Sequence, residues 1–141
     1  MRRAPLPQKP AAPMHSYDYA IVRVLPRVER GEQVNAGVIL SCAAAGYLRA
    51  GFALDEALLR CMAPGLDLQP IRAALAGIAA VCAGGPTAGA LGRLSARERF
   101  HWLVAPRSTS VQVSAVHTGR CADLDAALDD LMQKLVRRPP A

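Results

Sequence analysis

The stretch YDYAIVRVLPRVERGEQVNAGVILSCAAAGYLRAGFAL, residues 17–54, decides the fold. β-branched and aromatic residues fill 17–25 up to Pro26, which cannot donate to a continuing ladder of hydrogen bonds. Residues 34–42 follow the period-2 pattern of a strand, and 47–54 repeat it after a short turn. Three strands with short links predict an antiparallel meander. In the middle strand, one face is expected to carry Val34, Ala36, Val38, Leu40 and Cys42, and the other Asn35, Gly37, Ile39 and Ser41.

Capping residues and Pro-Gly or Gly-Gly breaks divide the rest of the chain into helices and one more strand. Asp or Ser stands at the start of each helical segment, where its side chain can accept from a free backbone N–H. The helices are predicted over 55–62, 67–83, 95–105 and 123–137, and the strand over 108–116. The fold class is therefore α+β: a mainly antiparallel sheet of about four strands, the three-strand meander plus one later strand, packed against three to four helices.

The two ends of the chain differ in composition from its body. Residues 1–13 contain four prolines and few large apolar residues, so we expect a disordered, proline-rich basic tail. Residues 14–137 are expected to form a single α+β domain, followed by a flexible C-terminal tail over 138–141. No apolar stretch approaches the roughly 20 residues that span a bilayer, and none resembles a signal peptide. We therefore expect a cytoplasmic protein that does not contact a membrane.

The net charge of +6 comes from the tails. Residues 1–13 and residues 134–141 each hold three basic and no acidic residues, whereas the body between them holds eleven of each sign. A protein that binds phosphate backbones concentrates basic charge on one face of its body, so nucleic acid is expected only through the tails. The four cysteines show no C-x-x-C pair, and we predict neither a metal nor a cofactor.

Polar residues are densest in 97–120, where Arg107-Ser108-Thr109 joins a helix end to a strand start. A planar guanidinium beside two hydroxyls suits a phosphate or a carboxylate. The loop after Pro26 is a second candidate, whose charged residues converge with Arg107 if both turns meet at one rim of the sheet. The candidate ligand-binding residues are Arg27, Glu29, Asn35, Arg107, Ser108, Thr109, Gln112, His117 and Thr118. The alternative is a pair of ordinary solvated loops, the commoner role of such segments.

Two aromatic features also admit more than one interpretation. Tyr17 and Tyr19 share a strand face with Arg23, which suits either the stacking of single-stranded RNA bases or a face covered by a helix. The neutral body favours the covered face. Trp102, the only tryptophan, is expected to pack in the core with its indole N–H bonded to one partner.

Three segments carry a resemblance to a known family: YDYAIVRVLPRVERGEQVNAGVIL (17–40), LDEALLRCMAPGLDL (54–68) and RERFHWLVAPRSTSVQVSAVHTG (97–119). With them, residues 16–137 resemble the bacterial family known as domain of unknown function 3037. The resemblance implies no established activity. It does imply an association, because members of that family often accompany a kinase related to the HipA persistence toxins, which suggests a toxin–antitoxin or defence accessory.

The leading hypothesis is a non-catalytic binding or regulatory module that engages a protein partner, for which the resemblance suggests the HipA-like kinase. The residues favour this over an enzyme, because no Walker loop, G-x-S-x-G or H-E-x-x-H motif occurs. The alternative is an enzyme or sensor that binds a small phosphorylated or carboxylated ligand at the Arg/Ser/Thr/His cluster. A second alternative is nucleic-acid binding through the basic tails.

Overall fold

A computed structural model describes residues 13–139 of the chain. Residues 1–12 of the predicted N-terminal tail and residues 140–141 of the C-terminal tail lie outside that range. The strands are β1 (His15–Val24), β2 (Val34–Cys42), β3 (Tyr47–Phe52), β4 (Val111–Val113) and β5 (His117–Cys121). The α-helices are α1 (Glu56–Met62), α2 (Gln69–Ala83), α3 (Ala96–Leu103) and α4 (Leu124–Leu135), and a 3-10 segment, Pro86–Arg93, joins α2 to α3. The α+β fold with an antiparallel sheet is confirmed.

The predicted meander is confirmed: β3, β2 and β1 lie side by side in that order, and each pair is antiparallel. The place on the other side of β1 is shared by two short strands. β4 pairs with the end of β1, with Val111 opposite Val24. β5 pairs with its beginning, with His117 opposite Tyr19. The predicted single strand over 108–116 is therefore wrong in its extent, because the strand position is divided between β4 and β5.

Ser114 lies at the point where the shared strand is broken. Its backbone N–H donates to the Ile21 carbonyl at 2.9 Å, as in a regular ladder. The N–H of Ile21, however, donates to the Ser114 hydroxyl at 2.8 Å instead of to a backbone carbonyl. The hydroxyl in turn donates to the Ala115 carbonyl at 2.9 Å. A side chain that replaces a main-chain acceptor ends regular pairing there without leaving the buried N–H of Ile21 unbonded.

A β-bulge changes the face assignment predicted for β2. The register between β1 and β2 shifts between Val22 and Arg23, which leaves Ala36 without an opposite partner. An extra residue reverses the alternation, so Val34 lies on the same side as Ile39 and not with Val38. The predicted faces are correct from Gly37 onward. Before the bulge they are reversed, so the predicted apolar face of β2 is not continuous.

Helices cover both faces of the sheet. Helices α1, α2 and α3 pack on one face, where the core includes Leu59, Leu75 and Phe100. Helix α4 packs on the other face through Leu124 and Met132. Both Tyr17 and Tyr19 pack against residues of α4, so the interpretation of this face as covered is confirmed. Burial there also raises the pKa of the Tyr17 hydroxyl.

One close approach fixes the spacing of β2 and β3. A Cβ added at Gly37 would lie 2.5 Å from the Gly51 carbonyl oxygen, so only glycine fits at this position.

Within residues 13–139, no single helix has the length and apolar content to cross a membrane. That length and apolar content are reached only by two consecutive helices taken together, Gln69–Ala83 and Pro86–Arg93, which are bent by 56° relative to each other.

Candidate functional site

The α1–α3 face of the molecule has a largely apolar cleft beside β4, which we call the Trp102 groove. It has a volume of about 360 Å³. Its walls are Ala74, Gly77, Ala80, Ile78 and Val81 of α2, Trp102 and Leu103 of α3, and Val111 and Val113 of β4, with Thr87, Ala88, Arg107 and Thr109 at the rim. The groove is open because α2 presents alanine and glycine here, whose short side chains leave space above β4.

Trp102 is 44% exposed, so the expectation that it packs in the core is wrong. It lies in the last turn of α3, whose buried side is taken by Phe100 and Leu103. The guanidinium of Arg107 lies over the indole ring at 4.4 Å from its centre, a cation–π arrangement. An exposed tryptophan held under an arginine forms a flat amphipathic surface at the groove.

Arg107 is fixed by hydrogen bonds to the end of α3. Its Nη1 donates to the Leu103 carbonyl at 3.1 Å, and its Nη2 donates to the Trp102 carbonyl at 3.2 Å. These bonds add donors to carbonyls in the last turn of α3, where the Trp102 carbonyl also accepts from the N–H of Ala105. A guanidinium has five N–H donors, so these two bonds leave others for a ligand.

The loop from Arg107 to β4 is also held by its own side chains. The Thr109 hydroxyl donates to the Val111 carbonyl at 2.9 Å, and the Gln112 amide donates to the Thr109 carbonyl at 3.0 Å. Thr109 lines the groove, whereas Ser108 is exposed beside it. Of the predicted polar cluster, Arg107 and Thr109 therefore come together at the groove.

Among residues 13–139, no strand pairs with the outer edge of β4. The N–H of Leu25 donates to the Ser110 carbonyl, and the N–H of Ser114 donates to the Ile21 carbonyl. Hydrogen bonding alternates along an antiparallel strand, so the N–H groups of Val111 and Val113 point away from β1. The outer edge of β4 therefore offers backbone donors next to the apolar side chains of Val111 and Val113, which line the groove.

The two predicted corners lie at the same end of the sheet but do not form one cleft. The bond from Leu25 to Ser110, 2.7 Å long, brings the turn after Pro26 next to the start of β4. Arg27 nevertheless lines a separate shallow depression with Arg30 and Glu32. Glu29 is exposed on the same turn. The structure thus brings the corners together without bringing Arg27 into the Trp102 groove.

Asn35 and His117 belong to the opposite, α4 side of the sheet. The Asn35 amide donates to the Leu135 carbonyl at 3.0 Å, which ties β2 to the end of α4. The His117 ring lies 5.3 Å from the ring of Tyr19, its partner across the strands. Neither residue lines the Trp102 groove, so the nine predicted residues do not form one site.

Thr118 lies in a second cleft, which we call the polar cleft, with a volume of about 480 Å³. Thr118, Asp18 and Ser41 are direct partners across β5, β1 and β2 and form one polar row. Arg97 of α3 donates from Nη1 to Asp18 Oδ2 at 2.6 Å above this row. The cleft is also lined by Ser16, Tyr17, Ala43, Ala44, Gly119 and Arg120.

Ser41 is the most unusual residue of the polar cleft. It is only 1% exposed, and its hydroxyl has no hydrogen-bond partner among the described residues. A buried hydroxyl without a partner costs about 1–3 kcal/mol, so such groups are rare in folded proteins. Asp18 and Ser41 are not among the site residues predicted from the sequence. The available signal was a charged residue, Asp18, on the strand face opposite the two tyrosines.

The four cysteines are free thiols, and Cys42 and Cys82 are buried. Burial raises the pKa of the Cys82 thiol to about 11, which keeps it protonated near neutral pH. Within residues 13–139, no group of three His, Cys, Asp or Glu side chains is placed to hold a metal ion. Cys42 and Cys82 pack as small residues of the core, as their apolar sequence surroundings indicate.

The fold and its two clefts define a class: an α+β protein in which an antiparallel sheet lies between helices, with open clefts on the α1–α3 side. Sequence comparison then identifies the family. The chain belongs to the family described as protein of unknown function (DUF3037), whose sequence model matches residues 19–136. No curated protein and no solved structure matches the chain.

Proposed function

We propose that the protein is a non-catalytic binding module that holds an extended segment of a partner protein in the Trp102 groove. The observation that carries the proposal is the 44% exposure of Trp102 under the guanidinium of Arg107, at the wall of an apolar cleft. Tryptophan and arginine are the residues that most often dominate the binding energy of protein interfaces.

The exposed part of Trp102 is large enough to contribute substantially to the free energy of association. An aromatic side chain buries about 150–250 Å² when covered, and apolar area contributes about 25 cal/mol per Å². Covering the exposed 44% of Trp102 would therefore contribute about 2 kcal/mol. The apolar walls formed by Ile78, Val111 and Val113 add to this when a partner side chain enters.

The chemistry of the groove specifies its occupant. An apolar side chain fits the walls, and an acidic side chain fits Arg107, whose remaining N–H donors can bind a carboxylate. The outward N–H groups of Val111 and Val113 favour a segment in extended conformation, which would pair with β4 as an added strand. The expected occupant is an extended segment with a large apolar residue close to Asp or Glu.

A binding role fits the polar groups of the groove better than catalysis does. Among the described residues that line it, the polar side chains are Thr87, Trp102, Arg107 and Thr109. None of them is a carboxylate, histidine or cysteine, the groups that usually act as general bases or activated nucleophiles. The kinase suggested by the family resemblance is a candidate partner, and the segment described above is the feature to seek in it.

The proposal is tested by selecting peptides from a random displayed library against the whole chain. We expect the selected sequences to share a large apolar residue with Asp or Glu close by. Trp102→Ala should weaken a selected peptide about thirtyfold, the loss typical of a binding hot spot of about 2 kcal/mol. Arg107→Glu, used in a second selection, should return Lys or Arg in place of the acidic residue because the charge at the rim is reversed.

Arg60→Glu provides the matched control, since Arg60 is exposed on α1 and lines neither cleft. This variant should select the same acidic sequences as the unmodified chain. Circular dichroism on each variant checks that the fold persists. A selection that yields no shared sequence, or the same acidic sequences with Arg107→Glu, contradicts the proposal.

A further inference from the structure

The structure assigns a second, independent site: the polar cleft binds a small carboxylate that carries a neighbouring amine or hydroxyl, as in an amino acid or a hydroxy acid. This cleft shares α3 with the Trp102 groove, since Arg97 lies in the first turn of that helix and Trp102 in its last. The two sites have different linings, so the assignment does not depend on the proposed function.

The first observation is that charged side chains occupy part of a strand face that is otherwise apolar. Asp18 is a carboxylate on a strand face that otherwise packs against helices, and Arg97 donates to it at 2.6 Å. Arg97 also lies over the Phe100 ring at 5.4 Å, which holds its guanidinium in position. Only one N–H of this guanidinium donates to Asp18 in the described bonds, so its fork can bind a second carboxylate.

The second observation is the hydroxyl of Ser41. It is buried at the cleft, it has no partner among residues 13–139, and it lies directly across the strands from Asp18. Polar groups in protein interiors are bonded, so an unbonded one at a cleft indicates an atom that the folded chain itself does not supply. A ligand oxygen on the floor of the cleft would accept from this hydroxyl.

The balance of charge selects the ligand. Among the described residues that line the cleft, the charged side chains are Arg97, Arg120 and Asp18, which together give one net positive charge. The two guanidinium groups attract a carboxylate, and Asp18 repels a dianionic phosphate more strongly than it repels a singly charged carboxylate. The Asp18 carboxylate can instead accept from an ammonium or hydroxyl group of the ligand. An amino or hydroxy acid presents both groups on one carbon.

The inference is tested by isothermal titration of the whole chain with the neutral proteinogenic amino acids, lactate and glycolate. Inorganic phosphate and glycinamide are the control ligands, because phosphate lacks the amine and glycinamide lacks the carboxylate. We expect at least one amino or hydroxy acid to bind, and both control ligands to bind more weakly. Arg120→Gln should weaken the bound acid about tenfold or more, as expected for loss of a charge-assisted hydrogen bond.

Ser41→Ala separates a role in binding from a role in folding. Because the hydroxyl has no partner in the described structure, its removal should not lower the midpoint of thermal unfolding, while the affinity for the acid falls about fivefold or more. Arg60→Gln should leave both quantities unchanged. The assignment is overturned if no acid binds, if phosphate binds more tightly than every acid, or if Arg120→Gln behaves like Arg60→Gln. Peptide selection by the Trp102 groove is a separate readout that these outcomes do not change.

Discussion

At Ser114 the side-chain hydroxyl, and not the backbone carbonyl, accepts the hydrogen bond from β1. The Ser114 hydroxyl accepts from the N–H of Ile21, and Ser114 is only 7% exposed. This one contact allows β4 and β5 to share a single position in the sheet. It also places the loop between them, Ala115 and Val116, at the surface.

Ser114→Ala should lower the free energy of unfolding by about 1–3 kcal/mol, because it leaves the buried N–H of Ile21 without an acceptor. Urea unfolding followed by circular dichroism measures the change. Ser108→Ala is the control, since Ser108 is exposed, and it should change the stability by less than about 0.5 kcal/mol. Equal effects of the two substitutions would show that the Ser114 hydroxyl has no such role.

Single residues also mark where sequence patterns stop being informative. The alternation in β2 is correct on each side of Ala36, but a bulge depends on the partner strand and leaves no trace in the pattern. Trp102 is similar. Its hydrophobic character predicts burial, whereas its position on α3 places it outside the side occupied by Phe100 and Leu103. Both errors arise from contacts between elements that are distant in sequence.

At the scale of elements, three of the four predicted helix caps are confirmed, because capping is local. The exception is α2, whose cap is Leu68 and not Asp67, although Asp67 accepts from the N–H of Gln69. The side chains of Asp55, Ser95 and Asp123 accept from the N–H groups of Leu58, Glu98 and Ala126, as their positions in the sequence indicate. The strands β4 and β5 were less predictable. Their extents depend on which part of β1 each one meets, and local sequence does not encode that choice.

Helix α2 has two faces with different roles. Its inner side buries Ile71, Leu75, Val81 and Cys82, while Gly77 is exposed at the groove. A Cβ added at Gly77 would meet no atom of residues 13–139 within 4 Å. The absence of a side chain at Gly77 keeps the groove wide. It also lowers the stability of α2, because glycine is a poor helix former.

Gly77→Ala should therefore raise the free energy of unfolding by about 0.5–1 kcal/mol, because alanine is the better helix former and fits without a clash. Gly77→Leu should block the groove and abolish binding of a selected peptide while the protein stays folded. Chemical unfolding measures the first effect and peptide titration the second. Undiminished peptide binding by Gly77→Leu would place the binding segment elsewhere.

At the scale of the whole molecule, the two clefts follow from the length of β1. β4 and β5 contact opposite ends of this ten-residue strand, so Val111 and His117 are separated along it by about 17 Å. They also lie on opposite faces of the sheet. The predicted cluster spread over 107–118 therefore divides among the Trp102 groove, the polar cleft and the α4 side, a division that no local pattern could predict.

Hydrogen exchange of the whole chain with and without a peptide selected for the Trp102 groove tests the central claim most directly. If the segment adds to β4 and covers the groove, exchange at the amides of Val111 and Val113 should slow by at least about tenfold, with that in β5 unchanged. Protection confined to β5 and the polar cleft, or no protection along β4, would contradict the proposed binding site.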